Sequence, residues 1–342
     1  MLKSRRGLLA AGLAVAVVGA LGVASTLNAG ADQIAGAADA TTEFTPPAVL
    51  PWGGSPTSVS TGDGGATSKT LRAAGLDAAA PDASGSTTPR GRYAPKGRTA
   101  KASDTTDTPP EPLSTDSSST TYKVNYLYNV GSQMAEADGV YANVTIGRPR
   151  LGNYDYHSLA ELALQSADGQ QIVEVGWTVD RLVNGDEDPH LFVYHWVNRQ
   201  PSCYNGCGFQ PYSKNVFPGS TLPLNTTKRF GIQYYNGAWW IAYDTEWIGY
   251  FPEQLWNDQG VTFNRSGLVQ AFGEVAGTTS WPCTAMGTGS PPESTDSALL
   301  ASVAYLNGPT VSLSIRSTTD LYRVAPLSAR SFRYGGTGAS DC

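Results

Sequence analysis

Few residues in this chain have the type and spacing to run chemistry, and most mechanisms fall away on inspection. Three histidines, His157, His190 and His195, show no metal-ligand spacing such as H-E-x-x-H. Four cysteines, Cys203, Cys207, Cys283 and Cys342, form no C-x-x-C pair. Zinc, haem and a dinucleotide held on a Gly-rich turn are therefore not expected, and neither is any other cofactor. His195 sits within Phe192-Val193-Tyr194-His195-Trp196 and reads as a strand residue. No G-x-S-x-G elbow accompanies it, which argues against a serine hydrolase. Cysteine nucleophiles are disfavoured because all four thiols are wanted for bridges. Carboxylates remain.

Two glutamates stand in apolar strand patterns. Glu174 interrupts Ile172-Val173-Glu174-Val175-Gly176-Trp177. By period two, Val173, Val175, Trp177 and Val179 share one face, and Ile172, Glu174, Gly176 and Thr178 share the other. Glu274 lies in Gln270-Ala271-Phe272-Gly273-Glu274-Val275, with Gln270 and Phe272 on its own face. Glutamates on half-buried strands usually point into solvent. Two strands can instead bring both carboxylates to one concave sheet face. Like charges held close cannot both ionise freely, so such a pair offers an acid and a base at one pH. Amide hydrolysis needs that combination. Gln270, four residues before Glu274, is a candidate donor to a developing oxyanion or an ordinary polar strand residue.

The elements that must position these groups lie in the last two thirds of the 342-residue chain. From Thr121 onward the chain holds 31 of its 34 aromatic residues. Short β-rich segments bounded by Gly, Asn, Asp and Pro are expected at 122–128, 140–146, 158–165, 171–179, 191–197, 228–235, 238–243, 247–250, 267–275, 299–305, 311–315 and 321–324. Asn236-Gly237 between two aromatic runs predicts a two-residue type I′ hairpin. The best helical segment is a turn or two at 252–257. Many short strands without helical crossovers imply an all-β fold: an antiparallel β-sandwich of two large sheets, jelly-roll-like.

The first 120 residues read differently. Lys3, Arg5 and Arg6 precede an apolar run to about Ala24, and Ala29-Gly30-Ala31 offers a cleavage site, so residues 1–31 are expected to be an export signal. Ser4-Arg5-Arg6-Gly7-Leu8-Leu9 resembles a twin-arginine signal, and the choice between the two export routes stays open. In residues 32–120, Ala, Gly, Ser, Thr, Pro and Asp supply 69 of 89 positions. So little apolar surface cannot offset the entropy of ordering, and the segment is expected to be disordered, a propeptide or a linker. Arg90, Arg92, Lys96, Arg98 and Lys101 cluster in it as a processing target. Residues 121–342 then form the catalytic domain.

Export also sets the cysteine chemistry. Four cysteines in a secreted protein favour two disulfides, with Cys203–Cys207 and Cys283–Cys342 the expected pairs among three possible pairings. The net charge of −6 argues against nucleic acid and polybasic membrane binding. After signal removal no stable membrane insertion is expected, and the secreted chain is expected to be a monomer. Sequons at Asn143, Asn225 and Asn264 are read as unused, because the signal points to a bacterial source.

Taken in order, several pieces resemble the neprosin family, secreted proteins that include glutamic endopeptidases. They are Ile172-Val173-Glu174-Val175-Gly176-Trp177, Asn184-Gly185-Asp186 followed by Leu191-Phe192-Val193-Tyr194, and Cys203-Tyr204-Asn205-Gly206-Cys207. Gly237-Ala238-Trp239-Trp240 and Ile248-Gly249-Tyr250-Phe251-Pro252 continue the likeness. Gly273-Glu274-Val275, Met286-Gly287-Thr288-Gly289 and Tyr334-Gly335-Gly336-Thr337-Gly338 complete it. The resemblance implies that Glu174 and Glu274 are the catalytic pair, on the concave face of a β-sandwich. It implies a proline-containing polypeptide substrate, cut on the carboxyl side of proline at acidic pH. The plant members carry a recognisable activation domain, where residues 32–120 show only low-complexity sequence.

Two rivals share the expected fold. Glycoside hydrolases with sandwich folds also use paired carboxylates, and a secreted sandwich with exposed aromatic residues can bind polysaccharide without chemistry. On the peptidase reading, Trp196, Trp239, Trp240, Tyr194 and Tyr250 are candidate walls of a cleft that receives a proline ring, though strands of a sandwich bury every second side chain.

Overall fold

Alternation of large apolar and polar residues, cut by Gly, Asn and Pro, builds fifteen strands among the described residues of the computed structural model. These are residues 44–58 and 125–342, with Cys203 excepted. The chain divides into Met1–Thr45, of which only Phe44 and Thr45 are described, and Pro46–Cys342. The export signal, the basic stretch at 90–101 and Cys203 lie outside the described residues.

The strands are β1 (Asn125–Met134), β2 (Gly139–Ile146), β3 (His157–Gln165), β4 (Ile172–Val179) and β5 (His190–Val197). Two short pairs follow, β6 (Gln200–Pro201) and β7 (Gln210–Pro211), then β8 (Thr226–Tyr235), β9 (Ala238–Tyr243) and β10 (Glu246–Pro252). The last five are β11 (Leu268–Gly277), β12 (Ala298–Leu306), β13 (Ser314–Ser317), β14 (Arg323–Ser328) and β15 (Ser331–Gly335). Among the described residues helix is confined to two single turns, α1 (Arg181–Asn184) and α2 (Gln254–Asn257). The strands form a seven-stranded sheet, β13-β1-β11-β3-β4-β5-β6, and an eight-stranded sheet, β14-β15-β12-β2-β8-β9-β10-β7. Every long pairing is antiparallel, and the fold is the expected all-β sandwich.

The main core lies between the sheets. Val173, Val175, Trp177 and Val179 from β4 join Ala160, Leu162 and Leu164 from β3, and meet Phe230, Ile232, Trp239 and Ile241 of the larger sheet. The expected period-two face of β4 is therefore the inward one. Asn236 and Gly237 both take positive φ, 49° and 81°, as a type I′ turn requires, and close the β8–β9 hairpin.

Strand ends differ from expectation at the sheet edges. The segments expected at 311–315 and 321–324 appear as β13 and β14, displaced toward the C-terminus. Their register follows their partners β1 and β15 rather than their own apolar residues. Strand β15 was not expected, because Ser331-Phe332-Arg333-Tyr334-Gly335 buries only Phe332 and Tyr334 on its inner side. Cys283 and Cys342 form the expected disulfide, Cα atoms 5.7 Å apart. Cys207 is disulfide-bonded as well.

Part of the stretch expected to be disordered is ordered. Residues 46–58 pack on the larger sheet, burying Pro47, Leu50 and Pro51. Averaged over 89 residues the composition forbids a core, but 46–52 concentrates three prolines, a leucine and a tryptophan. Prolines restrict the unfolded chain and so lower the entropy lost on docking.

Candidate active site

The outer face of the seven-stranded sheet carries a second buried cluster, and both expected glutamates belong to that face. In an antiparallel pair, residues directly opposite project to the same side. Glu174 stands level with Ala163 on β3, and Glu274 level with Leu159. Ala163 and Leu159 belong to this outer cluster with Tyr128, Val130, Ile172, Phe192, Tyr194, Trp196 and Phe272. Both carboxylates are fully buried, at 0% exposure.

The same register brings in a residue that the sequence reading missed. Glu161 lies midway along β3, level with Gly176 on β4 and Phe272 on β11, and is itself fully buried. Glu174, Glu161 and Glu274 thus run along one diagonal across three adjacent strands. Diagonal neighbours on a sheet face are about 7–8 Å apart. A Cβ on Gly176 would collide with the Ala160 carbonyl oxygen and come within 2.7 Å of Glu161 Cβ, so glycine is what makes room for Glu161 there. The signal was present in His157-Ser158-Leu159-Ala160-Glu161-Leu162-Ala163-Leu164: a lone glutamate in an apolar strand, the pattern that marked Glu174.

His157 is the second omission. Its Nε2 lies 2.6 Å from Glu274 Oε1, and its Nδ1 lies 4.0 Å from Asp180 Oδ2. All three side chains are almost wholly buried. Asp180 also caps α1, where its Oδ1 accepts the backbone N–H of Val183 at 3.1 Å, which sets Val183 against the cluster. No metal-type spacing could have marked His157; its role comes from pairing between strands far apart in sequence.

Gln270 shares the rung of Glu174, since both stand level with Ala163. Gln165 Nε2 donates to Gln270 Oε1 at 2.5 Å. The Gln270 Nε2 amide is buried and has no hydrogen-bond partner among the described residues. An amide is a neutral donor at any pH.

Phenols line the same face. Burial first, and then the carboxylate of Glu274, hold Tyr126 and Tyr128 well above the ordinary phenol range. Tyr194 is pushed up by burial and then by Glu174. Tyr204 is pushed up by burial, then by Asp180 and Glu274. These hydroxyls stay protonated at any working pH and remain donors. Tyr204 packs edge-on against Phe192 and Tyr194, ring centroids 5.5 and 5.2 Å away, so the loop after β5 folds over the cluster.

Of the five candidate wall residues, Tyr194 and Trp196 lie on this face, beside Glu174. Trp239 lies in the main core. Trp240 and Tyr250 pack against each other at a 40° tilt, ring centroids 4.6 Å apart, on the outer side of the other sheet. His195 points between the sheets, against Phe251 and Trp256, away from the carboxylates. His190 is tied to Asp186 and to the Gly219 carbonyl.

This constellation offers several buried carboxylates on one face, a histidine on one of them, a free amide donor and a ring of neutral phenols. It suits proton transfer to and from a water and its target, with no metal-ligand cluster among the described residues. The Neprosin family model matches residues 154–337, which is more than half of the chain. A search of curated proteins finds no match. Among solved structures, the chain is similar to SCP-B, described as a member of the eqolisin family of peptidases in a complex with the tripeptide Ala-Ile-His, at 10% identity and a TM-score of 0.39. A scytalido-glutamic peptidase with a transition state analog inhibitor matches at 10% identity and a TM-score of 0.40. Each comparison covers 63% of this chain and 100% of the other.

Proposed function

The chain belongs to the neprosin family, and we propose that it is a glutamic endopeptidase that cuts polypeptides on the carboxyl side of proline at acidic pH. One observation carries the reading: Glu174 and Glu274 share one buried sheet face and flank the same strand. Family membership supports a glutamic-type peptidase. Cleavage after proline, the acidic optimum and export rest on the resemblance and on the first 31 residues.

In this mechanism a water sits on the sheet face that carries Glu174 and Glu274. Glu274, whose Oε1 lies 2.6 Å from His157 Nε2, is assigned as the acceptor that takes the water proton. The water oxygen bonds to the peptide carbonyl carbon, and the carbonyl oxygen gains charge. Gln270 Nε2 and a nearby phenol donate to that oxygen. Glu174, protonated, gives its proton to the leaving amine as the C–N bond breaks. No covalent enzyme intermediate forms.

The test is to incubate the purified secreted chain with a proline-rich polypeptide and with common polysaccharides over a series of acidic pH values. Peptides ending in proline are expected. Release of sugar, or retention on polysaccharide with no peptide products, would overturn the reading. Peptide products without a proline terminus would overturn the specificity alone.

A further inference from the structure

The outer face of the eight-stranded sheet holds a trough that residues 46–58 fill. Tyr141 on β2, Gly231 on β8, Ala242 on β9 and Trp247 on β10 stand on one continuous rung. Two aromatic side chains therefore bound a floor of glycine and alanine. Trp52 packs edge-on against Tyr141, ring centroids 6.0 Å apart, and the Arg229 guanidinium lies 5.8 Å over the Trp52 ring. At the other end, Trp247 Nε1 donates to the Pro47 carbonyl at 3.1 Å. Thr57 N–H donates to the Thr245 carbonyl, and Thr245 Oγ1 donates to the Thr57 carbonyl, each at 2.8 Å.

The body is shaped for this segment as much as the segment for the body. A Cβ on Gly231 would lie 3.1 Å from both Pro51 Cγ and Trp52 Cζ3, so the missing side chain is the space they occupy. Trp247 is 1% exposed, and without Pro47 its indole N–H would lose its acceptor. Backbone hydrogen bonds from Gly53 and Leu50 close a turn that presents Leu50, Pro51 and Trp52 together.

We propose that this trough is a docking site for residues 46–58 that holds without the covalent connection. A cut in the basic stretch at 90–101 would then leave the N-terminal fragment bound to the sandwich. Processing would yield a two-piece protein, anchored on the sheet that does not carry the carboxylates. This inference does not depend on the catalytic reading.

The experiment places a recognition sequence for a site-specific protease between Tyr93 and Ala94 of the full chain, cuts it to completion, and follows both fragments by size-exclusion chromatography. They are expected to elute together at the size of one chain. Trp52→Ala, from the segment side, and Gly231→Val, from the trough side, are each expected to weaken retention about thirtyfold or more, as loss of a central interface tryptophan does. Intrinsic fluorescence checks that each variant body is folded. Separation of the wild-type fragments on cutting overturns the proposal, as does retention in both variants equal to that of the wild type. Co-elution at twice the expected size overturns it too, since the trough would then take the segment of a second copy.

Discussion

His157 Nε2 lies 2.6 Å from Glu274 Oε1, with both side chains buried on the outer face of the seven-stranded sheet. The contact singles out one of two otherwise similar glutamates. It occupies one carboxylate oxygen and leaves the other for a reactant. His157→Gln keeps a donor near that position without a titrating ring, and His157→Ala removes it. Hydrogen bonds to charged groups are worth about 1.5–3 kcal/mol, so kcat is expected to fall about 10- to 100-fold in the alanine variant. The glutamine variant should recover part of the loss, and KM should change little in either. A change in KM with kcat intact would instead make His157 a substrate contact.

Glu174→Gln and Glu274→Gln are each expected to lower kcat by at least about 100-fold, the low end for a positioned acid or base. Glutamine is nearly isosteric, so circular dichroism and thermal unfolding should stay close to wild type. Cleavage of a proline-containing peptide at near-wild-type rate by either folded variant would remove the pair from the mechanism.

Glu161 and Gly176 make a linked prediction. Gly176→Ala should push Glu161 away and strain β3 against β4, at a cost of about 1–3 kcal/mol by urea denaturation. Activity should fall with it. Glu161→Gln keeps the shape and removes a carboxylate from between the other two. It should retain the fold and change the pH profile of kcat more than its maximum. An unchanged profile would give Glu161 a packing role only.

The sandwich was legible in the sequence because period-two alternation and turn residues report on the two faces of each strand locally. Val173, Val175 and Trp177 against Glu174 and Gly176 is such a report, and the structure places those sets on opposite faces. What stayed hidden is register. Nothing near His157 in the sequence points to Glu274, 117 positions away, and only the β11–β3 pairing makes them neighbours. Trp239 and Trp240 failed as wall candidates for a related reason: which sheet a strand joins is a long-range fact. Residues 46–58 were hidden differently, by averaging a short apolar cluster into a long polar stretch.

The Cys283–Cys342 disulfide ties the C-terminus to the body across 59 positions. On loop-entropy grounds it should contribute about 4 kcal/mol. Replacing both cysteines by serine is expected to lower stability by about that amount in urea. A loss well under 1 kcal/mol would mean that the tail is held without it.

His195 should limit stability in the acid range where the proposed activity lies. Its ring packs between the sheets, 4.8 Å from Phe251 and 5.5 Å from Trp256, centroid to centroid. Burial lowers its pKa from 6.5 to about 4. Between these values the unfolded chain binds a proton that the folded chain refuses. Stability is therefore fully present above pH 6.5 and is lost as pH falls toward about 4. A shift of this size corresponds to about 3 kcal/mol. His195→Gln removes the titration, so its urea midpoint should fall less than that of wild type between neutral pH and pH 4. The two curves should run parallel above about pH 7, where neither state binds the proton. Equal acid losses in both proteins would place the acid sensitivity elsewhere, the buried carboxylate face being the next group to examine.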